Sequence, residues 1–134
     1  MRTHEVRHLS VTIDRDVASA YEALWRPESF ARWASGLASS LQDLEGQWIA
    51  ETPEGRARVR FTARNAFGVL DHWVDPPGSA EIHVPLRIIA NGSGCELVLT
   101  LLRQPGMSDE KFAADAEWVT RDLGAAKRYV ESLG

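Results

Sequence analysis

Cysteine is almost absent from this 134-residue sequence, in which Cys95 is the only one. A single cysteine excludes an internal disulfide bond, and a lack of disulfides is typical of proteins in a reducing cytoplasm. The sequence also contains no apolar run long enough to cross a bilayer, and no apolar segment follows Met1 as it would in a secretory signal. We therefore expect a cytoplasmic protein without a membrane span.

Basic charge is also scarce. The chain has 15 lysine and arginine residues against 19 aspartate and glutamate residues, which gives a formal charge of −4. Nucleic acids and anionic membranes select basic surfaces. We therefore predict no nucleic-acid partner.

The common motifs of catalytic and cofactor sites are missing as well. No glycine-rich phosphate loop leads from a strand into a helix, and no Gly-x-Ser-x-Gly elbow occurs. His4 and His8 share a face of a predicted strand, but such positions lie about 13 Å apart, too far for one metal ion. No cysteine or carboxylate completes a ligand set beside them. We predict no metal and no cofactor.

What the sequence does contain is the composition of a globular domain, with 44% hydrophobic and 25% charged residues. The length fits a single domain over residues 1–134, and no linker or repeat divides it. Five tryptophans are many for a chain of this size. Large aromatic side chains need either a core or the wall of a cavity.

The first quarter of the chain predicts one strand and two helices. Residues 6–13 alternate between apolar and polar side chains, as a strand does. Asp14 or Asp16 can cap a helix over residues 17–24, where apolar positions recur at helical spacing. A second short helix begins at Pro27, because proline is tolerated in a first turn. Residues 35–40 are small and polar enough for a loop.

The remainder predicts a sheet followed by a long helix. Short turns make neighbouring strands antiparallel, and the predicted strands are residues 41–44, 47–52, 56–63, 67–74, 80–89 and 95–103. Ser108 then caps a final helix with an acidic first turn. Its apolar stripe predicts a side that faces the core, formed by Phe112, Ala116, Val119, Leu123, Ala126, Val130 and Leu133.

The turns also predict the register of the sheet. When each hairpin closes with its shortest sensible loop, all hairpins agree on one apolar face, which the C-terminal helix must cover. The predicted pairs are Glu51–Arg56, Trp48–Val59, Val59–His72, Arg60–Asp71, His72–Ile82, Asp71–His83 and Leu86–Leu99.

The predicted order of elements (strand, two short helices, antiparallel strands, long helix) resembles the helix-grip fold of the START/Bet v 1-like (SRPBCC) superfamily, and in particular its bacterial polyketide cyclase/dehydrase-like branch. The segments that resemble it are SVTID at residues 10–14, VASAYEAL at 17–24, PESFARW at 27–33, FGVLDH at 67–72 and PGMSDE at 105–110. The resemblance implies an α+β fold in which a curved antiparallel sheet wraps around a long C-terminal helix. Members bind lipids, hormones or polyketides, catalyse cyclisation, or do neither. The same opening also resembles a domain of heat-shock ATPase activators.

His72 is the one polar residue on the predicted apolar face, and it is the main candidate for a functional group. A neutral imidazole in an apolar concavity can exchange hydrogen bonds with a ligand or move a proton. The alternative is a core histidine that is hydrogen-bonded inside the protein. The other inward residues are expected to include Leu70, Val84, Leu86, Leu99 and Leu101.

Four aromatic residues are candidates for the wall of a ligand cavity: Trp33, Trp48, Phe61 and Trp118. The alternative is that they fill the core. Arg56, Arg58, Arg60 and Arg64 form a basic row, for which the neighbouring acidic residues and Trp73 predict paired surface charge rather than an anion site.

Three functions therefore remain open. The first is binding of a small hydrophobic or aromatic molecule between the sheet and the C-terminal helix. The second is a polyketide cyclase or dehydratase that uses His72 as acid or base, and the third is a protein-interaction module similar to the ATPase activators. A homodimer is also expected, because apolar side chains fall on the otherwise polar outer face, at Val69, Trp73, Ile89, Val98 and Leu102.

Overall fold

A computed structural model describes residues 2–34, 41–52 and 55–133 of the chain. The predicted loop at 35–40, and Pro53 and Glu54 of a predicted turn, lie outside the described residues. The elements, in chain order, are β1 (Val6–Ile13), α1 (Val17–Leu24), α2 (Pro27–Phe30), β2 (Gln42–Leu44), β3 (Gln47–Thr52), β4 (Gly55–Phe61), β5 (His72–Asp75), β6 (Ile82–Val84), β7 (Leu86–Asn91), β8 (Gly94–Leu102) and α3 (Asp109–Ser132).

The local signals for helices are confirmed. Asp16 caps α1, because its carboxylate accepts a hydrogen bond from the N–H of Ser19. Pro27 occupies the first position of α2. Ser108 caps α3, and its hydroxyl accepts from the N–H of Lys111. These caps use backbone N–H groups that have no partner within a first turn.

The strands form two antiparallel sheets, ordered β1-β8-β7 and β2-β3-β4-β5-β6. The single strand predicted over residues 80–89 is wrong, because Pro85 divides it into β6 and β7. Proline has no N–H for a ladder hydrogen bond. Its carbonyl still accepts from the N–H of Thr100, so the chain continues from one sheet into the other at this residue.

The strand predicted over residues 67–74 is shorter than expected, since β5 begins only at His72. The segment before it pairs with β7 instead, through a bridge between Val69 and Arg87 and a hydrogen bond from Ile88 N–H to the Gly68 carbonyl. Gly68 has a positive φ of 72°, and a Cβ atom there would lie 2.4 Å from the carbonyl oxygen of Ile88. Only glycine fits this close approach.

The predicted register is right in two hairpins and shifted in two others. Trp48 pairs with Val59 and Leu86 with Leu99, as predicted. His72 pairs with Phe61 and Val84, in place of Val59 and Ile82. Both intervening loops are wider than the shortest closure. A shift of two residues leaves every side chain on its expected face.

Each wide loop has a physical cause. In the first, the Asn65 side chain accepts from the N–H groups of Phe67 and Val69, and it donates to the Ala63 and Val69 carbonyls. These bonds replace ladder hydrogen bonds near the turn. In the second, two consecutive prolines, Pro76 and Pro77, have no N–H to continue the ladder.

The long helix α3 packs mainly against β1 and also contacts β8 and α1. Of its predicted stripe, Val119 is only half-buried and Leu133 is exposed at the helix end, while the buried members are Phe112, Ala116, Leu123, Ala126 and Val130. The inward residues predicted for the sheet are confirmed, with Val84 and Leu101 half-buried and Leu70, His72, Leu86 and Leu99 buried. The α+β architecture of a curved antiparallel sheet with a long C-terminal helix is thus the fold of the chain.

Candidate functional site

His72 lies at the start of β5 with its side chain on the inner face, and only 5% of the residue is exposed. The ring centroids of Phe30 and Phe61 are 4.9 Å and 6.0 Å from its own. Burial disfavours the charged imidazolium and lowers the pKa of His72 from 6.5 to about 4. The imidazole is therefore neutral at pH 7.

The hydrogen bonding of His72 is sparse. Its Nδ1 atom lies 3.5 Å from the carbonyl oxygen of Leu70, at the long limit of a hydrogen bond. Because a carbonyl oxygen only accepts, this contact favours the tautomer that carries the hydrogen on Nδ1. That tautomer makes Nε2 the hydrogen-bond acceptor of the ring.

Trp33 lies just after α2 and is 5% exposed. Its ring meets that of Phe30 edge to face, with the centroids 5.0 Å apart. Among residues 2–34, 41–52 and 55–133, its Nε1 is the one buried side-chain nitrogen or oxygen atom without a hydrogen-bond partner. A buried N–H donor without a partner costs about 1–3 kcal/mol, so native proteins rarely keep one.

Trp33 and His72 line the same small void, which we call the inner void. Its volume is about 10 Å³, close to the least space that holds a water molecule. No described residue of α3 lines it, so the inner void does not lie between the sheet and the C-terminal helix, where the sequence predicts a ligand cavity. The other lining residues are Leu24, Trp25, Arg26, Phe30, Phe61, Thr62, Leu70 and Leu86.

A larger open depression, the outer groove, lies on the other side of Phe61. It has a volume of about 510 Å³. Trp48 forms part of its wall, with its ring centroid 6.3 Å from that of Phe61 in an edge-to-face contact. Trp25, Phe61 and Thr62 line both the outer groove and the inner void. These three side chains therefore form the partition between them.

Trp118 is not part of this arrangement. It is 44% exposed on α3, and the guanidinium of Arg121 lies 5.3 Å from its ring centroid. Position 118 falls outside the buried stripe of α3, and Trp118 lines neither the inner void nor the outer groove. The structure brings together three of the candidate side chains with His72, namely Trp33, Trp48 and Phe61.

Asp71, which was expected among the paired charges of the outer face, is buried. It is only 4% exposed, on the outer face. Its Oδ1 accepts from the N–H of Leu86 at 2.9 Å and from Nε of Arg87 at 2.8 Å. Its Oδ2 lies 2.9 Å from both Nη2 of Arg87 and Nε2 of His83. The break at Pro85 was the signal, because it leaves Leu86 N–H in need of an acceptor.

The pKa of Asp71 follows from these contacts. Burial by itself raises the pKa of a carboxyl group, but the hydrogen bonds from Arg87, Leu86 and His83 outweigh it. The pKa of Asp71 therefore lies well below its ordinary value. Every oxygen of this carboxylate is engaged inside the protein, so Asp71 holds β5, β6 and β7 together.

The predicted basic row is paired surface charge, as expected. The guanidinium of Arg60 also lies 5.1 Å from the ring centroid of Trp73. Each of the four arginines forms an ion pair with an acidic residue, so the row is not an unbalanced basic patch. The pairs are Arg56–Glu51, Arg58–Asp75, Arg60–Glu81 and Arg64–Glu22.

The apolar cluster predicted on the outer face is smaller than the sequence indicated. Trp73 is covered by His83, which stacks on it with the ring centroids 4.9 Å apart. Val69, Val98 and Leu102 are half-buried as well. Ile89 is 55% exposed. The homodimer stays a prediction.

Within the described part of the chain, no group of three or more histidine, cysteine, aspartate or glutamate side chains is placed to hold a metal ion. None of the described helices combines the length and the apolar character needed to cross a membrane.

Comparison with known proteins shows a likeness in structure only. No family model and no curated protein matches the sequence. A START superfamily protein from Mycobacterium smegmatis superposes with a TM-score of 0.70 and 12% identity over 96% of this chain and 99% of its own. Ara h 8.0201 gives a TM-score of 0.65 and 11% identity over 96% and 98%.

DynU16, encoded in the dynemicin biosynthetic locus, gives a TM-score of 0.69 and 16% identity. The match covers 94% of this chain and 47% of DynU16, so the chain spans about half the length of that protein. At these identities the comparisons show the fold and not the activity. The chain therefore has the helix-grip fold of the START and Bet v 1-like proteins.

Proposed function

We propose that this protein binds a small hydrophobic molecule, which lies in the outer groove and reaches past Phe61 into the inner void. The observation that carries the proposal is the unpartnered, buried Nε1 of Trp33, at a void that His72 also lines. Ligand pockets are mostly apolar walls with a few polar groups inside. A donor left without a partner is explained if the ligand supplies the partner.

The outer groove supplies the apolar surface that such a molecule needs. The rings of Trp25, Trp48 and Phe61 line it, and flat ligands stack favourably on aromatic side chains. The inner void in its present state holds no more than about one non-hydrogen atom. A larger part of the ligand enters only if the partition of Trp25, Phe61 and Thr62 opens, for example by rotation of the Phe61 side chain.

The enzymatic alternative has weaker support. General acid–base catalysis by a histidine works best when its pKa lies near the working pH, and the pKa of His72 is about 4. The lining of the inner void, as far as it is described, includes no carboxylate to orient the ring. The neighbouring Asp71 faces the opposite side of the sheet. We therefore place binding ahead of a cyclase or dehydratase.

A protein-interaction module is the other candidate, and the small volume of the inner void favours it. The two are separated by a direct binding test. Naphthalene is a suitable probe because it is flat, apolar and without polar groups. We expect its addition to ¹⁵N-labelled protein to shift the indole N–H signals of Trp33 and Trp48, while that of Trp118 stays in place.

The Trp118 indole is the internal control, because it is exposed on α3 and away from the groove. A Trp48→Ala variant removes a wall of the groove and should weaken naphthalene binding, whereas Trp118→Phe should leave it unchanged. If saturating naphthalene moves none of the indole signals, or moves all five alike, the proposed function is wrong and the interaction module is favoured.

A further inference from the structure

Two polar groups at the inner void have complementary hydrogen-bonding roles. The indole Nε1–H of Trp33 can only donate. The Leu70 carbonyl, 3.5 Å from His72 Nδ1, favours the tautomer with the ring hydrogen on Nδ1, which leaves Nε2 as an acceptor. Trp33 and His72 both line the inner void, whose volume is about that of a single oxygen atom, and between them the two side chains carry one donor and one acceptor.

We infer that the ligand carries a neutral hydroxyl group, phenolic or alcoholic, that occupies the inner void, accepts from Trp33 and donates to His72. This inference rests on the proposed function and specifies its ligand class. A hydroxyl group is both donor and acceptor, so it satisfies both side chains with one atom. A ketone or ether oxygen accepts only, and would leave its lone pairs facing Nε2.

The remaining polar groups around the void do not change this assignment. The Thr62 hydroxyl already donates to the backbone carbonyl of Asp71 at 2.6 Å. Arg26 is the one charged residue that lines the void, but it is exposed, and its guanidinium lies 5.0 Å from the ring centroid of Trp25. A carboxylate in the void would bring a negative charge against a neutral, acceptor-bearing imidazole, and burying an unpaired charge is costly.

The burial of His72 supports a neutral partner. Its pKa of about 4 keeps the ring uncharged at pH 7. A hydroxyl group with an ordinary phenolic pKa near 10 is uncharged at that pH as well. Both groups therefore keep the protonation states that the hydrogen bonds require.

Three probes that share one ring system test the inference: naphthalene, 2-naphthol and 2-naphthoate. We expect 2-naphthol to bind the whole protein about tenfold more tightly than naphthalene at pH 7, because two hydrogen bonds are added. 2-Naphthoate should bind no more tightly than naphthalene. Isothermal titration gives the three dissociation constants.

Two variants locate the effect. Trp33→Phe removes the donor and keeps a ring, and His72→Phe removes the acceptor and keeps a ring. Each should lose most of the preference for 2-naphthol over naphthalene, measured as the ratio of the two dissociation constants for the same variant. Trp118→Phe, at the exposed tryptophan, should retain the preference. A measurement on the wild type alone is independent of how the variants fold. There, the ¹⁵N shift of His72 Nε2 should change with 2-naphthol and not with naphthalene.

The possible outcomes separate the two proposals. If naphthalene binds and 2-naphthol binds no more tightly, the hydroxyl assignment is wrong while the proposed function stands. If 2-naphthoate binds most tightly, the assignment is also wrong, and Arg26 becomes the polar contact. If none of the probes binds, the proposed function fails and the hydroxyl assignment fails with it.

Discussion

Residues 71 and 72 are adjacent in the chain, and both are buried and polar, yet they lie on opposite faces of the sheet with opposite degrees of hydrogen bonding. Asp71 receives hydrogen bonds on both oxygens from Leu86, Arg87 and His83. His72 has one contact at 3.5 Å, and the nearby Trp33 Nε1 has none. Burial alone therefore does not identify a functional group. The number of hydrogen-bond partners distinguishes Asp71, which is structural, from His72, which can still bind a ligand.

The two residues also differ in why their pKa values are low. In Asp71, hydrogen bonds favour the charged form and outweigh burial. In His72, burial disfavours the charged form. The first group is a charge held in place by the fold, and the second is a base kept neutral by it.

The largest expected loss of stability is at Asp71, whose two carboxylate oxygens both accept hydrogen bonds. Asp71→Ala leaves the buried Leu86 N–H without an acceptor and removes charge-assisted hydrogen bonds from Arg87, whose side chain is about half-exposed, so the combined cost is about 3–5 kcal/mol. Asp75→Ala, which breaks only a surface pair with Arg58, should cost less than about 1 kcal/mol. Urea denaturation of both variants measures the difference. Equal losses would show that the Asp71 network stabilises no more than a surface pair does.

A second prediction concerns the packed part of the inner face, away from the void. Leu123→Ala should cost about 2–5 kcal/mol, because it leaves a cavity under α3. The exposed Glu117 on the same helix is the control, and Glu117→Ala should cost under about 0.5 kcal/mol. Glu131 is unsuitable as a control, since its carboxylate accepts from Asp14 N–H and Lys127. Equal denaturation midpoints would contradict the packing of α3.

The third prediction uses pH to separate the two groups. The unfolded chain binds a proton at His72 near pH 6.5, while the folded protein does so only near pH 4, so stability is lost as pH falls between these values. At pH 5 the loss relative to pH 7 should be about 2 kcal/mol. His72→Phe should remove that loss, as measured by urea denaturation at both pH values.

Asp71 affects the stability of the fold in a lower pH range. Its folded pKa lies below the ordinary 3.8, so its contribution is complete above about pH 4 and is lost as pH falls further. Asp71→Asn should flatten the stability curve there and leave the slope between pH 7 and pH 5 unchanged. A His72→Phe variant that keeps the full slope between pH 7 and pH 5 would contradict the neutral, buried state of His72.

The fourth prediction tests the cost of the unpartnered donor. Trp33→Phe should change stability by less than about 1 kcal/mol, because the loss of ring volume is offset by removal of a buried N–H without a partner. Thermal denaturation of this variant beside Trp118→Phe gives the comparison. A loss of several kcal/mol for Trp33→Phe alone would mean that its N–H is satisfied in solution, by water for example.

The smallest expected effect concerns the outer face. Of the side chains predicted to form the homodimer contact, Ile89 is the most exposed, at 55%. Ile89→Ser should leave monomer stability within about 0.5 kcal/mol and weaken self-association. Sedimentation at increasing concentration measures the association. A wild-type chain that stays monomeric at high concentration would remove the homodimer.

The order of the elements and the division of the sheet into two faces could be predicted from the sequence, because they depend on local periodicity. Alternation at period two and the apolar stripe of α3 are independent of distant contacts. The faces of Leu70, His72 and Leu86 were therefore right even where the register was shifted, since a shift of two residues preserves them. Asp16, Pro27 and Ser108 marked helix ends through bonds within a few residues.

The register, the burial of Asp71 and the composition of the site were decided only by the tertiary structure. The loop at Asn65 closes through side-chain hydrogen bonds whose geometry no hydrophobic pattern records. Trp33 and Trp118 are the same residue type, but only Trp33 follows α2 into the interior beside Phe30 and His72. Periodicity assigns a side chain to a face of its own element, whereas the partners on that face come from elements far apart in the chain, and packing alone selects them.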